Sequence, residues 1–475
     1  LYFVRSEPSQ ALKFLYRAPV LGGTPQKLAT DVDSNITFSP DGRSVAYSVY
    51  NSPEPGKFRL VIYSLETGEG KNLVTDTVDQ FFGDPAWSPD GKTILCVTYG
   101  SGAGNRVVAV DAISGKQNLI LEHKEGFLHD PAWLPDGRGL MATAIGEETN
   151  FTRYQIVEIS YPEGAIRAVT HDVGDYSGLS LSANGKMLAT VMSQAHYDLY
   201  MRPASALASG QVQQLTSGAR VYEFSWTPDG KIIVDHVNLN VLNPDTGSEA
   251  PLSSTLPTGS AWLPSSCGDS RFVVFSRIDP RNAKTINVWR IDAGGDNLKQ
   301  LTDGKEDEFT VCSPDGKWVY YADLSNGFKL TRVPLDGGKP ERLSELPIGS
   351  HLFDISPDGR MAAFASIRSG SSQKQLALVP VDSAQDTKLM DLQRPLLRES
   401  AVRFTHDGKA VVYPVRDQGV DNLWLQPLDG SRGKQLTNFK SEQITDFHWS
   451  FDGRRLGLIR GHTDSDVVLL QESKP

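Results

Sequence analysis

Short apolar runs broken by one recurring turn make up the whole chain. At residues 87–97 the run reads Trp-Ser-Pro-Asp-Gly-Lys-Thr-Ile-Leu-Cys-Val. Pro89 presets φ, Asp90 can bond local backbone, and Gly91 can take the left-handed conformation, so the four residues Ser-Pro-Asp-Gly predict a tight turn between antiparallel strands. The strand before the turn ends in an aromatic residue. The strand after it is apolar on both faces and must be covered from both sides. One such hairpin cannot bury itself.

Turn glycines are predicted at Gly42, Gly91, Gly137, Gly185, Gly230, Gly268, Gly316, Gly359, Gly408 and Gly453, at intervals of 38 to 49 residues. A period in the forties with several strands per repeat predicts an all-β fold, a β-propeller of four-stranded antiparallel blades. Each repeat reads as strand a into the turn, strand b behind it, then strands c and d. Strand b carries apolar pairs such as Val45 and Tyr47, Ile94 and Cys96, or Val411 and Tyr413, which should pack blade on blade. Strand d is short and often ends in Leu-Thr, as at Leu215-Thr216, Leu301-Thr302 and Leu436-Thr437. The weakest copy surrounds Gly268.

About ten repeats exceed the usual ring of roughly 4 to 8 blades. Two propellers in tandem are expected: an incomplete one of about four and a half blades over residues 1–216, and one of about six over residues 217–475. A single ten-bladed ring is the competing arrangement. Residues 1–30 read as strands b, c and d with strand a missing. The chain also opens without Met inside an apolar strand pattern, so the expectation is a piece of a longer protein.

Composition narrows the function classes. The 475 residues are 39% hydrophobic and 22% charged, with a formal net charge of −10. Dispersed negative charge argues against nucleic acid and anionic membranes as partners. No apolar run approaches the roughly 20 residues needed to span a bilayer as a helix. Cys96, Cys267 and Cys312 are odd in number and widely spaced, so neither a disulfide framework nor a zinc site is expected, and the redox compartment stays open.

The copies at residues 38–42, 87–91 and 312–316 resemble the TolB-like propeller repeat over nearly the whole chain. Residues 15–28 (Leu-Tyr-Arg-Ala-Pro-Val-Leu-Gly-Gly-Thr-Pro-Gln-Lys-Leu) and the closing stretch Asp464-Ser465-Asp466-Val467-Val468-Leu469 are similar to the C-terminal propeller region of acidobacterial serine/threonine protein kinases. That resemblance implies a segment attached downstream of a kinase domain and a membrane-spanning helix, acting as an extracytoplasmic sensor or docking surface. The sequence itself contains no kinase motif.

In a propeller the loops joining d to a and b to c gather at one channel mouth, where ligands bind. The first set should bring Asp84, His129, Asp130, Tyr176, Glu308 and Asp354 there, together with Asp175 and Glu223. The second should bring Arg277, Arg368, Arg416 and Arg460, an arginine ring suited to an acidic side chain or carboxylate. The competing reading pairs these arginines with acids of neighbouring blades. His129-Asp130, His171-Asp172 and His406-Asp407 fall at inequivalent positions and read as turn and capping residues, so no metal and no cofactor is expected. No Gly-x-Ser-x-Gly elbow occurs.

The expected function is a non-catalytic sensor binding a protein, peptide or envelope glycan. The alternative is the propeller part of a peptidase or glycosidase, with its catalytic domain elsewhere or carboxylates such as Asp84 and Asp130 serving at the mouth.

Overall fold

A computed structural model describes the chain except for residues 7–12, 51–56, 78–80, 100–104, 124–125, 147–148, 150–152, 209–211, 219, 237, 257–260, 281, 326, 349–352, 368–373, 383–385, 397–400 and 472–475. The described chain is all-β, with strands built into antiparallel sheets that are mostly four-stranded. A 3-10 turn spans Ala204–Ala206.

The recurring turn explains why the hairpins form. Ser39 Oγ donates to Asp41 Oδ1 at 2.6 Å, the same oxygen accepts from the Arg43 amide at 3.1 Å, and the Ser39 hydroxyl accepts from the Ser44 amide at 3.0 Å. The Gly42 amide closes the turn on the Ser39 carbonyl at 2.8 Å. These bonds hold the Asp41 carboxyl below its ordinary range, the Ser39 hydroxyl contributing most. The repeated aspartates are therefore turn-builders. Strand d has its own device: the hydroxyls of Thr216, Thr302 and Thr437 accept the amides of Leu199, Val288 and Leu423 in strand c, at 2.9 to 3.0 Å. Each Leu-Thr ending thus ties off a blade's outer edge.

Nine of the ten predicted turn glycines have φ between 65° and 82°. The exception is Gly268. There the left-handed position falls to Ser270, with φ 62°, whose amide donates to the Cys267 carbonyl. Gly268 is small for another reason: a Cβ on it would lie 2.3 Å from the Pro314 carbonyl oxygen in the next blade's turn.

That close approach brings Cys267 and Cys312 together as a disulfide, with Cα atoms 5.1 Å apart and a separation of 45 positions in sequence. This corrects the expectation that no disulfide would form. Wide spacing looked unfavourable for pairing, but one repeat length is the separation that puts residues side by side on adjacent blades. Cys96 remains a free, buried thiol.

The chain divides into two compact units, Leu1–Gln194 with Ser465–Pro475, and Ala195–Asp464. The boundary expected between residues 216 and 217 falls inside the second of these. In the first unit, blade one has three strands (Tyr2–Ser6, Lys13–Arg17, Gln26–Thr30), and the next three blades have four each. Blade five is Asp175–Leu181, the first half of Met187–Pro203 and the last half of Arg455–Gln471. Ser193 and Ser465 hydroxyls lie 2.9 Å apart across its last pair.

The second unit has six blades. Five are consecutive, from Glu223–Trp226 to Lys434–Gln435. The closing blade takes strands a and b from Gln443–Trp449 and the first half of Arg455–Gln471, and strands c and d from residues 195–203 and Gln213–Gln214. Both ends of this unit's chain therefore meet in one sheet. Leu199 and Ile459 pack there against Phe224 and Trp226 of the next blade. In both units the core lies between blades: Val45 and Tyr47 pack with Leu15 and Ala29, and Val411 and Tyr413 with Ala363 and Leu376. Burial of each large apolar side chain contributes about 1.5–3 kcal/mol.

Candidate functional site

The second unit's strands a line a cavity of about 300 Å³. Two residues before each turn the wall carries Ser225, Ser265, Val311, Asp354, Arg403 and His448 in successive blades, all bordering the cavity. One arc is charged and the opposite arc is apolar or small. In the first unit the equivalent positions hold Thr37, Ala86, Ala132 and Ser180, without a charge among them. This difference marks the second unit's channel as the candidate site.

Arg403 sits at the centre of the charged arc and is almost fully buried. It donates through Nη2 to Asp446 Oδ1 at 3.0 Å and through Nη1 to the Phe353 carbonyl at 2.9 Å. His448 Nε2 is 2.9 Å from Arg403 Nη2 and 2.9 Å from Asp446 Oδ2. The second of these is an ion-pair distance without hydrogen-bond alignment. The His448 ring stands edge-on to Phe224, with centroids 5.1 Å apart. On the other side, Asp354 Oδ2 accepts the Phe404 amide at 2.7 Å. Burial raises the Asp354 carboxyl, with Arg403 opposing.

Glu223 and Asp446 share the remaining space, and their carboxyls are pushed apart. Burial and the neighbouring Asp446 charge raise Glu223. Burial would raise Asp446 too, but His448 and Arg403 outweigh it and hold this carboxyl low. The arrangement is a proton-holding Glu223 beside an ionised Asp446 that neutralises Arg403.

Glu223, Asp446 and His448 present one ligand atom each within 4.8 Å of one another, a spacing that could hold a metal ion. The guanidinium of Arg403 already contacts the same Asp446 and His448 side chains. A divalent cation would have to take its place beside a buried positive charge, so the donor set fits a charge network better than a metal centre.

The apolar arc includes Leu263 and Phe309, both bordering the cavity. Their φ angles are 57° and 60°, the left-handed region that bulky side chains rarely occupy. Each lies at a register shift in its strand a, between Trp262 and Ser265 and between Glu308 and Val311. Such bulges re-aim side chains next to functional sites.

The residues expected at a channel mouth are dispersed. Asp84, His129 and Asp130 lie within strands a of the first unit, not in d-to-a loops, because those strands begin earlier than the aromatic signal implied. Asp84 accepts from Asn35 Nδ2 at 3.3 Å and lies 3.5 Å from His129 Nδ1. Asp130 accepts the Gly178 amide at 2.8 Å, and burial raises its carboxyl. Tyr176 is buried and donates to Asp172. Glu308 stands in strand a beside Trp262, its carboxyl pushed up to about 7 by burial and then by Glu306. Of the residues expected at a mouth, Glu223 and Asp354 border the second unit's cavity.

Arg277, Arg416 and Arg460 likewise sit in strands rather than b-to-c loops. Arg416 makes a two-pronged pair with Asp421 of its own hairpin, at 2.7 and 2.9 Å. Arg460 pairs with Glu442 at 3.1 Å and lies 3.7 Å from the Phe439 ring centroid. Arg277 is buried against the Trp289 ring. Arg368 falls outside the described residues. Arg416 and Arg460 are thus paired within their own blade, whereas the anticipated partners were acids of neighbouring blades. Arg403, Asp446 and His448 were missed, although for Arg403 and His448 a signal was present: both stand two positions before the turn, as Asp354 does in the preceding repeat.

Comparison with known proteins agrees with the repeat. The TolB β-propeller domain family matches residues 22–238. An uncharacterized protein of Agrobacterium fabrum is 24% identical over 252 residues, covering 50% of this chain and 83% of its own length. A protein assigned as a TolB from Agrobacterium tumefaciens superposes with a TM-score of 0.46 at 18% identity, covering 57% of this chain and 99% of that one. TolB from Acinetobacter baumannii gives 0.40 at 15% identity, covering 72% and 81%. The tricorn protease gives 0.33 at 13% identity, covering 90% and 49%. No helix among the described residues is long and apolar enough to cross a membrane. Residues 22–238 are thus similar to the TolB β-propeller domain family, and the described chain is built of β-propeller blades.

Proposed function

We propose that the chain is a non-catalytic recognition module that binds a protein or peptide at the channel of its six-bladed unit. The observation that carries this reading is the asymmetry of the wall. A buried charge network from Asp354 to Glu223 faces an apolar arc containing two strained residues, a surface suited to a ligand with a polar end and an apolar side. We further propose that it works outside the cytoplasm, as the sensor of a membrane-anchored serine/threonine kinase. The disulfide between blades supports an oxidising compartment. The resemblance of residues 15–28 and 464–469 supports the kinase association.

The test is a photo-crosslinking residue at Phe451, which borders the cavity and is 41% exposed. Incubated with a cell-envelope fraction, the labelled chain is expected to capture a discrete polypeptide, and Asp354→Asn should weaken capture at least about tenfold. No discrete product, or turnover in a peptidase or glycosidase panel, would refute this reading.

A further inference from the structure

The strands that close the six-bladed unit also bring two histidines to one carboxylate. Residues 195–203 and 455–464 belong to neighbouring strands of the closing blade, and both stretches lie in the second unit. His196 stands on the first strand, His462 and Asp464 on the second. Alternate side chains of a strand share a face, so His462 and Asp464, two positions apart, point the same way. The two backbones approach closely here: a Cβ on Gly461 would lie 1.7 Å from the His196 carbonyl oxygen. That approach sets the His196 and His462 rings side by side, with centroids 5.3 Å apart and planes at 30°.

Both rings turn the same nitrogen to the same oxygen. His196 Nε2 lies 3.6 Å and His462 Nε2 3.5 Å from Asp464 Oδ2, ion-pair distances rather than hydrogen bonds. Among the described residues no lysine or arginine pairs with Asp464, in contrast to Asp446, which Arg403 neutralises. Three ligating atoms therefore converge with no cation between them.

We propose that His196, His462 and Asp464 bind a divalent transition-metal ion such as zinc, with solvent as the fourth ligand. The separations already match. With bonds of roughly 2.0–2.1 Å, two donors on a tetrahedral zinc stand about 3.3 Å apart, and the centres of two bound imidazoles about 5 Å apart. Two imidazoles and a carboxylate suit zinc and its neighbours, whereas calcium and magnesium take oxygen ligands. The three side chains are 39% to 67% exposed, so the ion can enter without opening the blade. Once bound, it clips the first strand of the six-bladed unit to the last. The expectation of no metal weighed only adjacent His-Asp pairs, and these three residues meet through ring closure alone.

Calorimetric titration of the intact, metal-free chain with zinc chloride should show one ion bound per chain with a micromolar Kd. Saturating zinc should raise the thermal midpoint by roughly 5 °C, because the ion binds the closed blade and not the unfolded chain. H196Q/H462Q should weaken binding at least about tenfold and abolish that rise, with an unchanged midpoint in the absence of zinc showing that it still folds. D464N, a change at the most exposed of the three, should weaken binding likewise. No uptake at ~1 mM zinc, or uptake indifferent to H196Q/H462Q and to D464N, would overturn the proposal. Uptake lost in H448Q instead would place the ion in the channel cluster and overturn it as well.

Discussion

Arg403 Nη2 lies 3.0 Å from Asp446 Oδ1, with 5% of the arginine side chain and none of the aspartate accessible to solvent. Two charges removed from water this completely stabilise the fold only as a pair. Arg403→Met should leave the buried Asp446 with His448 as its remaining partner, costing ~3–5 kcal/mol in denaturant unfolding. The double variant R403M/D446L should recover most of that loss. Equal loss in the single and double variants would show that the pair is not the source of the effect.

The bond between Cys267 and Cys312 staples blades two and three of the second unit. Reduction, or C267S/C312S, should lower unfolding stability by about 2–4 kcal/mol. Non-reducing peptide mapping should recover a fragment linking residues 267 and 312, while the buried Cys96 resists alkylation until the protein unfolds.

Gly268 and Gly91 should respond differently to alanine. At Gly91 the cost is the left-handed φ alone, about 1 kcal/mol. At Gly268 the added Cβ meets the Pro314 carbonyl at 2.3 Å, and the turn beside the disulfide must shift. Gly268→Ala should therefore lower the thermal midpoint more than Gly91→Ala.

Asp235 sets a pH dependence of definite sign. Its carboxyl is buried, accepts the Leu263 amide at 3.2 Å and is pushed up to about 8 by desolvation. The folded state therefore holds a proton that the unfolded state releases near its ordinary value. The resulting stability is complete below about pH 4 and is lost as pH rises toward 8. Asp235→Asn, which keeps the acceptor and does not titrate, should raise the thermal midpoint at pH 9 by roughly 2–6 °C and change little at pH 4.

Much of this architecture was legible because the physics is local. Ser-Pro-Asp-Gly specifies a turn wherever it occurs, and the Val45 and Tyr47 pattern specifies a strand covered on both faces. What was not legible depends on which strands become neighbours. Residues 195–203 read as the end of one repeat, yet they pair with the hairpin from 443 to 461, which no local pattern announces. The disulfide is hidden for the same reason, since only blade stacking brings Cys267 to Cys312. Among site residues, Glu223 and Asp354 were found, although each was expected in a d-to-a loop and stands in a strand a. Arg416 and Arg460 misled because a charge near a strand end reads alike whether it meets a ligand or, as here, Asp421 and Glu442.

The central claim is that two complementary chain ends close the six-bladed ring. Producing residues 195–464 and residues 217–464 side by side tests it most directly. The longer piece should show a β-rich spectrum and a single cooperative unfolding transition. The shorter one, lacking strands c and d of the closing blade, should fail to fold cooperatively. Equal behaviour of the two pieces, or an unfolded longer piece, would contradict the account.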